Sequence, residues 1–293
     1  MPATLLIKPV QRDLGGGFTV SRLLPAAAKR SVGPFVFLDH MGPAMHGADT
    51  NFDVRPHPHI GLATVTYLFE GAMMHRDSLG YVQRIEPGAI NWMTAGRGIV
   101  HSERTPDDLR KSTYTIDGLQ LWVALPAEQE ECLPSFSHTP AEAIPTWRDK
   151  TTSVRILIGS LFGLTSPVRT YSETLYADIE LNATNALQLP APSQISKHME
   201  LAVYGISGDI SIDGVAVPNG QLVVLDASAP CQIASRNKAR CMLLGGAALP
   251  EPRFMWWNFV STRKERIEQA KQDWQAQRMG LIAGENEFTP LPE

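Results

Sequence analysis

Four polar side chains in this sequence fall into two pairs at the spacing of a β-strand, His57-x-His59 and His101-x-Glu103. On an extended strand residues i and i+2 project from the same face, so each pair delivers two donors into one space. Imidazole and carboxylate together suit a divalent first-row metal ion. Three imidazoles and a carboxylate leave positions open on a six-coordinate ion, which it needs if it is to bind a substrate or dioxygen as well as protein. Prolines flank the first histidine in Arg55-Pro56-His57-Pro58-His59 and hold that segment extended. The second pair follows Trp92-Met93-Thr94-Ala95-Gly96-Arg97-Gly98-Ile99-Val100, where Gly96 and Gly98 permit a tight turn. The other histidines rank lower. His40 is expected to make a turn hydrogen bond in preference to lining the cavity mouth, His75 to sit in a solvated polar turn, His46 and His138 to lie in loops, and His198 to occupy a surface turn.

The elements that must position these pairs read as short strands. β-Rich runs broken by Gly, Pro, Asn and Asp extend to about residue 250, among them Ala63–Phe69, Tyr81–Ile85, Ala89–Met93, Leu119–Leu125, Val154–Leu157, Leu201–Ile206 and Leu222–Leu225. Such density argues for an all-β sandwich or barrel. The pattern also repeats: Tyr67 and Gly71 superpose on Tyr204 and Gly208 at an offset of 137, and the Gly88 turn on the Gly220 turn at 132. Two copies of one β-unit follow, with Pro126 to Lys150 as connector. These offsets map His57 and His59 onto Gln194 and Ser196, and His101 and Glu103 onto Ile233 and Ser235, so the second copy is expected to be metal-free. After residue 250 a capping box, Thr262 to Glu265, opens an amphipathic helix carrying Ile267, Ala270 and Trp274, with Gly280 as its C-cap. Trp256, Trp257 and Phe259 are expected to anchor it on the β-core.

The chain has 293 residues, 43% hydrophobic and 19% charged, enough apolar material to exclude wholesale disorder. A net charge of −4 argues against direct nucleic-acid binding through phosphates. No apolar run approaches the ~20 residues of a membrane span, and the start lacks the order of a signal peptide. Three cysteines, an odd and small number, fit reduced thiols and a cytoplasmic protein. A monomer is the default expectation.

The segments Arg55–Gly71, His75–Gly80 and Trp92–Glu103, supported by Phe37–Pro43 and Gly118–Val123, closely resemble the pirin family of bicupins. The similarity is dense over residues 33–126 and looser elsewhere. It implies two tandem cupin β-barrels (double-stranded β-helix, or jelly roll) with a C-terminal helix: a metal-binding barrel in residues 1–130 and a degenerate, metal-free barrel with the helix in 131–293. It implies a metal site, usually Fe(2+), whose ligand positions match His57, His59, His101 and Glu103; other divalent first-row metals are compatible with these donors. It further implies flavonol 2,4-dioxygenase (quercetinase) activity, which opens the heterocyclic ring of flavonols such as quercetin with O2 and releases CO. A typical cupin has a Glu ligand three or four residues after the second histidine. Here stand Ala63 and Thr64, and Glu103 supplies the carboxylate instead, as in pirins.

On this reading the partners are a small aromatic, flavonol-like substrate and O2, without nucleic acid or membrane. Glu103 is the expected general base, with a free oxygen for the substrate proton. Trp92 or Met93 (alternation admits one of them), Gln120 and Trp122 are expected to line the pocket. The rival reading, a non-enzymatic iron-dependent redox sensor acting through a protein partner, uses the same ion to alter the surface of the first barrel.

Overall fold

The computed structural model describes residues 3–14, 18–48, 50–51, 53–182, 185–196, 198–226 and 228–292. The chain forms two compact units, each discontinuous in sequence. One comprises Asp13–Val20, Met41–Ala141 and Pro250–Glu293; the other comprises Met1–Arg12, Ser21–His40 and Glu142–Leu249. The C-terminal segment, grouped with the second barrel on sequence grounds, clusters with the first.

In the unit that holds both donor pairs, eight strands matter for the site: β1 (Val54–His59), β2 (Leu62–Glu70), β3 (Met73–Asp77), β4 (Val82–Ile85), β5 (Ile90–Thr94), β6 (Ile99–Arg104), β7 (Tyr114–Ala124) and β8 (Ser135–Thr139). They fall into two antiparallel sheets, one ordered β1-β6-β3-β4 and the other containing β8-β5-β2-β7 in succession. β1 is an edge strand, paired within the sheet to β6 alone, the position in which strand prolines such as Pro56 and Pro58 are tolerated. β8 lies within the stretch expected to be a connector: its polar, half-exposed residues conceal an edge strand on β5.

The other unit repeats this architecture. Its large sheet runs Ala3–Ile7, Leu222–Leu225, Met199–Ser207, Ala239–Ala247, Thr174–Leu181, Thr152–Ile158, Thr146–Arg148. Its small sheet runs Asn185–Leu189, Cys231–Ser235, Ile210–Ile212, Val215–Val217. The all-β bicupin expectation therefore holds. Register corrects the mapping between the copies. His59 pairs with Ile99 and His57 with His101, whereas Leu189 pairs with Cys231 and Leu187 with Ile233. The counterparts of His57 and His59 are thus Leu187 and Leu189, not Gln194 and Ser196. Those two lie on and just after a short helix, Pro192–Ile195, that displaces the sequence offset. Leu187, Leu189 and Ile233 all belong to the buried core of this unit, so hydrocarbon fills the place the imidazoles occupy in the other.

The helix α1 spans Lys264–Gln275 and buries Ile267, Ala270 and Trp274 on one stripe. These pack with Ile60, Val100 and Phe259, and with the half-buried Trp256 and Trp257, as the sequence suggested. Both caps differ from expectation. Arg263 takes the N-cap position, because Thr262 is already engaged: its backbone N–H and its hydroxyl donate to the Glu130 carboxylate at 2.9 and 3.1 Å. The helix closes before Gly280 in a Schellman arrangement, with Arg278 N–H on Asp273 C=O and Gln277 N–H on Trp274 C=O, Gln277 having φ 53°.

Glu130 also accepts from the Ser261 hydroxyl at 2.8 Å and lies 3.2 Å from Arg253, both charged side chains being almost fully buried. Removing one partner of such a pair leaves the other charged and dry. Glu130→Ala should therefore lower unfolding stability by about 3–5 kcal/mol, read as a shift of the urea midpoint; an unchanged midpoint would show that the pair does not hold this segment in place.

Candidate metal centre

Strand alternation sorts the donor segments into an inner and an outer face. Directly opposed residues of an antiparallel pair share a face, and β6 pairs His101 with His57 on one side and with Asp77 on the other, then Glu103 with His75. His57, His59, His75, Asp77, His101 and Glu103 thus line one face, and all six are buried. Between His101 and Glu103 the register with β1 slips, so that Glu103 faces Val54. The extra residue is a β-bulge of the kind that re-aims side chains at sites. Gly96, in the turn leading into β6, has φ 50°, and a Cβ there would stand 2.1 Å from the Cys132 carbonyl oxygen. No other residue fits this turn.

The imidazoles of His57, His59 and His101 converge, with all three ligand atoms within 4.8 Å of one another. His59 Nε2 and His101 Nε2 are 3.1 Å apart. Two nitrogens each about 2.1 Å from one ion at neighbouring positions would stand at about this separation. His57 Nδ1 donates to the Arg55 carbonyl at 2.8 Å, which leaves its Nε2 as a lone-pair donor, the arrangement typical of a metal-bound imidazole. Nδ1 of His101 is buried with no partner among the described residues. Burial holds all three rings neutral: it lowers His57 to about 4, and it drives His59 and His101 well below the usual imidazole value, with His57 adding to the effect. Neutral imidazoles facing one another across 3 Å offer lone pairs and little else. The donor set fits a divalent first-row ion.

Glu103 lies on the same face but outside this trio: among the described residues the gathered set is the three histidines. Burial raises its carboxyl to about 7. His75, expected to be solvated, is instead buried. Its Nε2 is 3.0 Å from Asp77 Oδ2, and its ring stacks on Phe136 at 4.3 Å and lies 5.4 Å from His101. Asp77 is fixed in turn by the N–H groups of Leu79 and Tyr81. His75-x-Asp77 has the same strand spacing as the two donor pairs, a signal present in the sequence and passed over. Of the remaining histidines, three depart from expectation. His46 and His138 lie on strands, His40 is buried against the Tyr204 hydroxyl at 2.7 Å, and His198 occupies an exposed turn as expected.

The facing sheet decides between the two pocket alternatives. Met93 pairs with Thr64, which pairs with Trp122, and on its other side with Phe136. Trp122 meets His59 edge-on at 5.2 Å and Phe136 covers His75, so this row faces the imidazoles. Met93 is therefore inside, and Trp92 is on the opposite face, where its indole N–H donates to Thr94 Oγ1. Gln120, two residues before Trp122, shares the inner face.

The outer face of the donor strands is gripped by the chain's end. Glu285 accepts from the Ser102 hydroxyl at 2.5 Å, pairs with Arg104 and lies 3.8 Å from Arg76; Thr289 N–H donates to the Pro56 carbonyl. Each of these strand residues is next to a member of the inner set. Nothing in the local sequence around Glu285 announces this role.

Two facing sheets, present twice, with an imidazole trio inside one copy, define a bicupin with a candidate metal centre. A family model described as Pirin matches residues 17–123, and one described as Pirin C-terminal cupin domain matches residues 176–280. The chain belongs to the pirin family. A pirin-like protein of Caulobacter vibrioides is 46% identical over 288 residues, 97% of each chain. The crystal structure of a quercetin 2,3-dioxygenase from Acinetobacter baumannii is similar at 31% identity and a TM-score of 0.91, covering 99% of this chain and 95% of that one. A bacterial pirin of Escherichia coli in complex with nickel(II) shares the fold at a TM-score of 0.65 and 16% identity, over 84% of this chain and 99% of that one. Among the described residues no helix is long and apolar enough to cross a membrane.

Glu103 and the histidines impose opposite pH dependences on the metal-free protein. Glu103 has a folded pKa of about 7 against 4.5 unfolded, so its contribution is fully present below pH 4.5 and lost as pH rises through 7. The histidines have folded values below 6.5, so theirs is present above pH 6.5 and lost as pH falls toward 4. In chelator-treated protein Glu103→Gln should abolish the alkaline loss, worth on the order of 3 kcal/mol. The melting-temperature difference between variant and parent should therefore move in the variant's favour from pH 5 to pH 8. A difference constant with pH would contradict the assignment.

Proposed function

We propose that this protein is a metal-dependent dioxygenase that cleaves flavonols such as quercetin with O2 and releases CO, using iron at His57, His59, His101 and Glu103. The observation that carries the reading is the convergence of three buried imidazoles on one point, with Trp122 edge-on to His59 from the facing sheet. The likeness to the Acinetobacter quercetin 2,3-dioxygenase supports the substrate class. When bound, such an ion supplies Lewis acidity toward a substrate hydroxyl and the redox capacity that reaction with dioxygen requires.

The protein's own groups then divide the work. His57, His59 and His101 would hold the ion, with Glu103 as the fourth ligand. Glu103 receives the proton of the flavonol hydroxyl; a carboxyl held near neutrality by burial is matched to taking up and returning a proton at physiological pH. Met93, Trp122 and Phe136 keep water from the reacting carbon skeleton. His75, fixed by Asp77 and stacked on Phe136, sets the position of that wall against the imidazoles.

The test is anaerobic purification with iron, then addition of quercetin and oxygen while carbon monoxide and flavonol absorbance are followed. Release of CO with loss of absorbance is expected. No gas and no absorbance change would remove the flavonol dioxygenase reading and leave a sensor acting through a partner or a barrel acting on another small oxygen-rich metabolite. Glu103→Gln should keep most metal binding while turnover falls by about 10²–10⁴-fold. Turnover at the parent rate would remove Glu103 as base.

A further inference from the structure

The row formed by Phe136, Met93, Thr64 and Trp122 faces the imidazoles. Two residues further along each of the same strands stands a second row: His138, Asn91, Thr66 and Gln120, paired across β8, β5, β2 and β7 in the same register. Faces repeat every second residue on a strand, so this row shares the interior face. Two residues beyond it, Leu68 packs with Met73 and Ile85 into an apolar floor. The interior is thus layered, with an apolar wall at the level of the imidazoles, a polar row next to it and hydrocarbon beneath.

The polar row uses up its own acceptors. His138 Nδ1 donates to Asn91 Oδ1 at 2.7 Å, and the Thr66 hydroxyl donates to Gln120 Oε1 at 2.9 Å. Both amide oxygens are satisfied. Neither amide nitrogen has a partner among the described residues, although Asn91 is 4% exposed. Neither nitrogen is among the fully buried atoms left without a partner, so both N–H groups remain accessible to a ligand while their oxygens are engaged. The row therefore presents donors, and its complement is an acceptor.

We propose that Asn91 and Gln120 form a recognition row for oxygen acceptors on the edge of an aromatic ligand remote from the ion. Thr66 and His138 act as positioning residues that turn both amide nitrogens inward. The ligand class is then a planar aromatic bearing peripheral hydroxyl or phenolate oxygens, a requirement separate from the chelating group that meets the ion. The choice of flavonols as probes rests on the proposed function; the donor row does not.

Two flavonols separate the row from the ion. Quercetin carries ring hydroxyls, whereas the flavonol hydroxylated at C3 alone has the same chelating edge and no peripheral oxygens. Equilibrium binding of each is measured on zinc-loaded protein, where no turnover occurs. Asn91→Ala and Gln120→Ala should each weaken quercetin about tenfold, leaving the C3-only flavonol and zinc affinity unchanged. Thr66→Val, which releases the Gln120 oxygen without touching the ligand, should weaken quercetin in the same selective way. Equal weakening of both flavonols, no weakening of either, or failure of the parent to bind them would overturn the proposal. Selective binding without CO release from iron-loaded protein would keep the row and remove the reaction.

Discussion

Three imidazoles cannot share a dry space as cations, and this constraint governs the centre. Burial denies His57, His59 and His101 their second proton, and what remains is three neutral rings whose nitrogens face one another. Such a cluster tolerates a positive guest and resists every other arrangement. The same dryness acts with opposite sign on Glu103, holding its proton to near neutrality. One physical cause therefore keeps three imidazoles uncharged and one carboxyl protonated.

The fold meets this constraint by dividing each donor strand between two tasks. Alternate residues face inward to the centre, and their neighbours face outward to a clamp made by Glu285 and its surroundings. Because the outer grip falls on Ser102, Arg104, Arg76 and Pro56, it fixes the backbone that carries the inner set without entering the site. The second unit uses the same frame with Leu187, Leu189 and Ile233 at the equivalent places, which shows how little of the architecture depends on the imidazoles. Chemistry here is a property of a few inward positions on a robust scaffold.

What could be read in the sequence follows the range of the interactions. Strand spacing is a local code, so His57-x-His59 and His101-x-Glu103 announced a shared face, and the duplicated turns announced two units. Contacts set by distant segments were hidden. The choice of Met93 over Trp92 depends on which strand lies opposite, and the insertion at Pro192–Ile195 misdirected the alignment of the two copies. His75 was misread because a polar turn follows it, although its i+2 spacing to Asp77 carried the same signal as the other pairs. Thr262 resembled a helix cap until Glu130, far away in the chain, claimed its hydroxyl.

The interleaving of the two units has a consequence for biogenesis. Residues 250–293 complete the unit that opens with Asp13–Val20, while Ala3–Ile7 joins a sheet whose other members lie beyond residue 145. A growing chain emerges at roughly 5–20 residues per second, so the unit that ends at Leu249 is complete in sequence before the unit that holds the imidazoles. The imidazole trio is translated early and braced last.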